Sequence, residues 1–333
     1  MPDLLSDILK SDLLKCVDVG ARGGLQQHWQ RFAELIELDA FEPDAKACEE
    51  QKSQARPREN WYPIALAGHT GMATLYVVKK ASSSSLYPPS PAIMDTYTHC
   101  GYGDLDHTIE VPVSHFSDFV KQYKRPLPNL IKLDTQGTEL NILRSLEDEH
   151  WADLLAVQTE FEFAEAYIGQ PLFHDVDAFM RSKGFLLFDM LVGRQYRVAE
   201  KREKYFLRKY LNISRNRRDI SARALAGDAF YVRPPEEILK RGDRVLYAKM
   251  FLIFLIYRCL DEALWFAEAG RAHKLISDAE TASLIDLVRS VAPKPNLWQR
   301  ADKIGKWARR IRKKLGLGAR RKIEYWMDRS WDY

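Results

Sequence analysis

The chain has 333 residues, 46% hydrophobic and 29% charged, the make-up of a globular protein whose core needs neither disulfides nor a metal staple. Its cysteines (Cys16, Cys48, Cys100 and Cys259) form no C-x-x-C pair, which argues against a zinc or redox motif. The opening MPDLLSD carries acids where a secretory leader carries bases, so a cytoplasmic setting is expected.

Residues 13–19 (LLKCVDV) read as a buried strand that ends in a Gly-rich turn. Residues 25–35 have helical spacing, 38–42 form a second strand stopped by Pro43, 44–54 a polar helix and 61–66 a third strand. Apolar strands spaced by helices predict a parallel sheet with right-handed crossovers. Residues 73–78 and 108–113 look like two added strands, separated by a long loop, 80–107, rich in Ser, Pro, Tyr and His. The alternation resumes with a strand at 130–134, a helix at 139–146, a strand at 155–163 and a helix at 173–183. Strands at 185–190 and 229–232 close the series around a basic insertion, 194–226. The expected organisation is an α/β, Rossmann-like domain over 1–233 with helices on both faces, a helical subdomain over 234–293 and a basic tail over 294–333. The run MFLIFLIY at 250–257 is about half the ~20 residues of a membrane span, so a core helix is expected there.

The turn at 17–24 (VDVGARGG) follows a strand and opens a helix, where glycines let a ligand approach the backbone and the helix start suits an anion. Glu42 ends the second strand and can accept both hydroxyls of a ribose. A dinucleotide enzyme uses a similar layout, but the spacing is not G-x-G-x-x-G. Asp18, just before the first glycines, can hold the amino group of a methionine moiety, which a nicotinamide dinucleotide lacks.

A second motif is more specific: IKLDTQGTEL at 131–140, then Leu143. With D-V-G-A-x-x-G from Asp18, F-E-P at 41–43, the Ser82 to Leu86 loop and V-P-V before the next helix, the chain resembles the FkbM-type methyltransferase family in order over about 12–233. The resemblance implies a class I fold that uses S-adenosyl-L-methionine to methylate hydroxyls of sugars, polyketides and related products. It implies cofactor contacts at Asp18, Gly20, Ala21, Arg22, Gly24, Glu42, Ala65 and Asp134. Arg22 stands where the family often has Asn, and Gly68-His69 replaces a common Gly-Asp.

Methyl transfer to a hydroxyl needs an acceptor oxygen held in line and a base to take its proton. Asp134, at the carboxyl end of its strand, is the first candidate. Glu139 is either a second catalytic acid or a helix N-terminal carboxylate that caps the loop. His99 and His107 in the long loop are alternative bases or plain solvated residues, and Tyr87, Tyr97 and Tyr102 can stack on a sugar. Asp134, Glu139 and Glu160 can also hold a divalent cation, but no His or third ligand is fixed by spacing, so a metal is not favoured. The insertion's bases, among them Lys201, Arg202, Lys204, Arg208, Lys209, Arg215, Arg217 and Arg218, suit a phosphorylated or acidic glycan, or form a solvated face.

The expected function is O-methylation of a sugar, glycan or glycolipid intermediate. A nicotinamide oxidoreductase is disfavoured by the glycine spacing and by the lack of Tyr-x-x-x-Lys. A nucleic-acid or other small-molecule methyltransferase is the alternative within the reaction class; the basic end of the chain favours nucleic acid, while the lack of an N-P-P-Y motif and of aromatic-basic interleaving speaks against it. Asp18, Glu42 and Asp134 speak against a non-catalytic binding protein. The formal net charge of +4 hides a tail with thirteen bases and four acids over 294–332. Residues 297–322 combine an apolar stripe, Trp298 and Trp307 with a basic face, which suits an anionic membrane surface on its cytoplasmic side, packing on the helical region, or nucleic acid as the least favoured partner.

Overall fold

The computed structural model describes residues 3–97, 104–200, 204–212 and 220–293. The tail, His99, Tyr102, Lys201, Arg202, Arg215, Arg217 and Arg218 lie outside them. Helix α1 (Asp3–Leu9) leads into strand β1 (Leu14–Val19), α2 (Gln27–Gln30), β2 (Ile36–Phe41), α3 (Ala45–Lys52), β3 (Glu59–Tyr62), β4 (Ala65–Ala67) and β5 (Gly71–Val78). Then come α4 (Pro91–Met94), β6 (Leu105–His115), α5 (Phe116–Tyr123), β7 (Leu130–Leu133), α6 (Glu139–Arg144), α7 (Asp148–Trp151), β8 (Ala156–Glu162), α8 (Phe173–Ser182) and β9 (Leu186–Gln195). The described chain ends through β10 (Val198–Glu200), β11 (Lys204–Tyr205), α9 (Phe206–Leu211), β12 (Arg223–Val232), α10 (Pro235–Arg241), α11 (Arg244–Ile256), α12 (Leu260–Ala272) and α13 (Asp278–Val291).

Seven strands form one sheet in the order β3-β2-β1-β7-β8-β12-β9. Pairings from β3 through β8 are parallel, and β12 runs antiparallel to both its neighbours. This is the expected Rossmann-like α/β sheet. Side chains alternate between its faces as the pleat requires. Val17, Val19, Phe41, Ile131, Leu133 and Tyr231 pack with α5, α6 and α8 on one face. Leu14, Cys16, Leu38, Leu130, Phe230 and Val232 pack with α1 and α10 to α13 on the other.

Residues 235–291 therefore share a core with the sheet and form one of its two helical layers. The helical stretch expected over 234–293 is broken twice before 260. Gly242 takes a left-handed φ of 69° as the C-cap of α10, and Asp243 then caps α11 by accepting from Val245 N and Leu246 N. Arg258, with φ 56°, turns the chain again before α12. The apolar run at 250–257 is buried throughout, as a core helix should be.

Two other expectations are corrected. The third strand is two: Pro63 interrupts 61–66, so β3 ends in the main sheet while β4 joins β5 and β6 in a separate three-stranded sheet. Residues 25–35 hold only the short α2 and a 3₁₀ turn, Ala33–Leu35, because Trp29, Phe32 and Leu35 all turn inward over one short stretch. The long loop contains a short helix, α4, and is pinned by bridges from Ser85 to Tyr76 and from Pro89 to Tyr167.

Candidate active site

The carboxyl ends of β1, β2 and β7 open into a cavity of about 290 Å³, roofed by β5, β6 and the Ser82 to Leu86 turn. Open α/β sheets bind ligands at this edge. The apolar wall is Phe41, Ile64, Leu66, Leu75, Val77 and Ile109, and the polar groups include Gln26, Glu42, Lys132, Asp134 and Gln136. Beyond Leu86 and Thr138, which line both, lies a wider groove of about 630 Å³ walled by His69, Tyr76, Tyr87, Asn141 and Arg144.

The Gly-rich turn is built by backbone hydrogen bonds. Gly20 N and Ala21 N both donate to Phe41 O at 3.0 Å, which ties the end of β1 to the end of β2. Gly20 has φ 81°, and a Cβ there would sit 2.0 Å from the Asp134 carbonyl oxygen. Only glycine lets the β1 and β7 turns approach so closely.

Glu42 is buried at the cavity, where its Oε1 accepts from Asp44 N at 2.9 Å. Burial pushes its carboxyl above the ordinary range against the pull of Asp44 N and Arg22. Arg22 lines the mouth with its guanidinium 2.9 Å from Asp44 and 3.6 Å from Glu42. It therefore sits beside the acid of the second strand.

Asp18 and Lys132 are register partners on neighbouring strands and share a face. Their charges meet in the interior, Lys132 Nζ lying 3.2 Å from Asp18 Oδ1 and 3.5 Å from Asp134 Oδ2. Burial opposes the lysine's charge, but Asp18 and then Asp134 outweigh it and hold the ammonium firmly protonated. Asp18 is 1% exposed, and burial raises its carboxyl despite Lys132 and a hydrogen bond from Gln26 at 2.9 Å. It does not line the cavity; Gln26 and Lys132, which flank it, do.

Asp134 does reach the cavity, its side chain 42% exposed. Partial burial raises its carboxyl, yet Lys132 and a 3.0 Å hydrogen bond from Gln136 Nε2 outweigh that and hold it below the usual carboxylate range. Gln136 Nε2 also donates to Glu160, and Gln136 Oε1 lies 2.8 Å from the Tyr167 hydroxyl. Burial, then the charge of Asp134, pushes the Glu160 carboxyl well above its ordinary value.

Glu139 does not line the cavity. Its carboxylate accepts from Thr135 N at 2.7 Å, Thr135 Oγ1 at 2.9 Å and Gly137 N at 2.9 Å. Of the two roles weighed, loop capping is the arrangement found, and a part in proton transfer is not supported. His107 lies exposed on β6, bonded to Asp106 at 2.8 Å, and lines neither cavity. Ala65 and Arg22 line the cavity with Gly20, whereas Ala21 and Gly24 shape the turn behind it. Among the described residues one set of side chains can close on a cation, Glu147, Glu149 and His150 at α7, away from this site.

The methyltransferase FkbM domain model matches residues 18–187, just over half of the chain. The chain belongs to the FkbM methyltransferase family. This FkbM member is 46% identical over 48 residues to "Methyltransferase 1" of Beauveria bassiana (strain ARSEF 2860), a match that spans 14% of this chain and 18% of that relative. It is also similar to an uncharacterized protein from Listeria monocytogenes serotype 4b, at 9% identity and a TM-score of 0.28 over 87% of this chain and 99% of that one. A 16S rRNA (adenine(1408)-N(1))-methyltransferase from Catenulisporales acidiphilia, solved with its cosubstrate SAM, gives 10% identity and a TM-score of 0.28 over 70% of this chain and 91% of that one. The strand order, rather than these likenesses, carries the fold assignment.

The sequence alone assigns no role to Lys132, Gln26 or Gln136. Lys132 carried a usable signal, because a lysine between Ile131 and Leu133 in a buried strand must be ion-paired.

Proposed function

We propose that this chain is an S-adenosyl-L-methionine-dependent O-methyltransferase that acts on a hydroxyl of a sugar, glycan or glycolipid intermediate. The residues fit the cofactor. Glu42 offers Oε2, which no described donor bonds, to a pair of ribose hydroxyls, and the apolar wall suits a purine. The turn through Gly20 brings backbone beside Asp134 with no side chain in between. When bound, the cofactor supplies an electrophilic methyl group.

The observation that carries the reading is the placement of Asp134 at the cavity. It is an ionised carboxylate, half-exposed into the cavity, at the carboxyl end of β7. Such a group can accept a hydrogen bond from an acceptor hydroxyl and draw off its proton as the oxygen reacts. Gln136 and Lys132 hold the carboxylate from two sides, which limits the conformations it must give up on binding. The negative charge of Asp134 in turn pushes the neighbouring Glu160 carboxyl upward.

The test uses S-adenosyl-L-methionine labelled with ¹³C in the methyl group and a panel of sugars, sugar phosphates and glycolipids. The methyl carbon shift of the product distinguishes an ether from an N-methyl group. Asp134→Asn should keep the affinity for S-adenosylhomocysteine and lose about 10²–10⁴ in turnover. Near-normal turnover in that variant, or an N-methyl product, contradicts the proposal.

A further inference from the structure

The far side of the same sheet edge carries a cluster the cavity does not use. Because β12 runs antiparallel to β8, Arg223 at its start lies at the carboxyl edge of the sheet, opposite Gln195 at the end of β9. Arg197 follows two residues later and forms a β-bridge with Tyr97. The Tyr97 hydroxyl accepts from Arg223 Nη1 at 2.8 Å and from Arg197 Nη2 at 3.5 Å. Both guanidiniums also lie over its ring, at 5.0 and 5.5 Å from the centroid. The ring is 7% exposed and packs with Ala164 and Leu225, so its oxygen is a fixed point, whereas both arginines are open to solvent.

Two like charges gathered on one neutral oxygen repel each other. Proteins usually place a carboxylate between such a pair, yet among the described residues no acid lies within ion-pair reach of either. A stapling role for Tyr97 needs one arginine and does not account for the second. An oxyanion bound between the guanidiniums removes the repulsion and matches their planar donors.

The cluster is joined to the cavity by a continuous strap. Ser85, in the cavity wall, donates to Gln136 O at 2.6 Å. The strap then lies along residues 164–168, with Pro88 O accepting from Ile168 N and Ser90 N donating to Ala166 O, both at 2.8 Å. Through α4 it ends at Tyr97. The cavity and the arginine cluster are thus joined by one run of chain along the carboxyl edge of the sheet.

We propose that Arg197 and Arg223, gathered on the Tyr97 hydroxyl, form an oxyanion site that holds a phosphate or carboxylate of the methyl acceptor. This rests on the methyltransferase reading and narrows it to an acidic acceptor. The experiment is calorimetry on the full chain with four probes: S-adenosylhomocysteine, glucose 1-phosphate, glucuronate and neutral glucose. Glucose 1-phosphate or glucuronate should bind saturably, more tightly than glucose, and more weakly as salt rises. The preferred anion tells phosphate from carboxylate. Arg197→Gln and Arg223→Gln should each weaken that binding about tenfold, as expected for a lost charged hydrogen bond, with S-adenosylhomocysteine affinity unchanged within twofold. Tyr97→Phe, which keeps the ring and removes the shared oxygen, should weaken it less. Equal binding of glucose and the anions, no anion binding by the wild type, or wild-type affinity in both arginine variants overturns the site. Loss of S-adenosylhomocysteine binding by the wild type, with anion binding intact, instead overturns the cofactor reading.

Discussion

Replacing Lys132 with Met removes the cation that, among the described residues, is ion-paired with Asp18 in the interior. At 3.2 Å and an effective dielectric constant near 20, the pair attracts by about 5 kcal/mol, much of which offsets the desolvation of both ions. Without the lysine, Asp18 keeps only Gln26, and a carboxylate this buried will take up a proton instead of staying charged. Its unfolded pKa is about 3.9, so holding it neutral costs about 4 kcal/mol at pH 7 and about 1.5 kcal/mol at pH 5. Lys132→Met should therefore lose about 3–4 kcal/mol of stability at pH 7, within the range for breaking a buried pair. The sign follows from a raised folded-state pKa: the neutral acid favours the fold at low pH, so the loss shrinks as pH falls from 7 to 5. Asp18→Asn combined with Lys132→Met should restore most of it, since neither charge is then buried. The assay is urea unfolding of the wild type, both single variants and the double variant at each pH. A loss under about 1 kcal/mol at pH 7, or a loss that does not change with pH, refutes the pairing.

His28 is buried against Tyr257, its two ring nitrogens without hydrogen-bond partners among the described residues, and burial, then Lys132, lowers its pKa to about 4. Neutral His28 favours the fold, so stability is full above pH 6.5 and falls by about 3 kcal/mol as pH drops toward 4; His28→Gln should flatten that slope in pH-dependent unfolding. Gly20→Ala should cost about 1–2 kcal/mol from its left-handed backbone alone. Displacement of the Asp134 carbonyl adds to that and should abolish S-adenosylhomocysteine binding; calorimetry and thermal melts check both.

The parallel half of the sheet was legible because strands buried on both faces read as mostly apolar runs, as at 13–19 and 130–134, even with Lys15, Asp18 and Lys132 within them. The turn at Gly20 and the acid at Glu42 were legible because a crossover from strand to helix fixes where such residues fall. What was missed depends on contacts distant in sequence. β12 begins at Arg223, well before its apolar stretch, because pairing with β9 extends it. Residues 235–291 read as a separate unit, since nothing local tells that Tyr257 stacks on Phe230 at 4.0 Å. Asp18 looked like a direct ligand because its partner Lys132 lies on another strand, more than a hundred residues away. Glu139 was ambiguous for the opposite reason, since its partners Thr135 and Gly137 are local and the same spacing serves a cap or a catalytic acid.

The central claim is that the cavity at the ends of β1, β2 and β7 holds S-adenosyl-L-methionine, with Glu42 on its ribose. Titration calorimetry with S-adenosylhomocysteine tests it most directly. Wild-type protein should bind one equivalent, and Glu42→Ala, whose carboxylate is buried at the cavity, should bind more weakly by about 1–3 kcal/mol, the range for lost hydrogen bonds to a charged group. No binding by the wild type, an unchanged affinity in Glu42→Ala, or tight binding of a nicotinamide dinucleotide in its place would contradict the account.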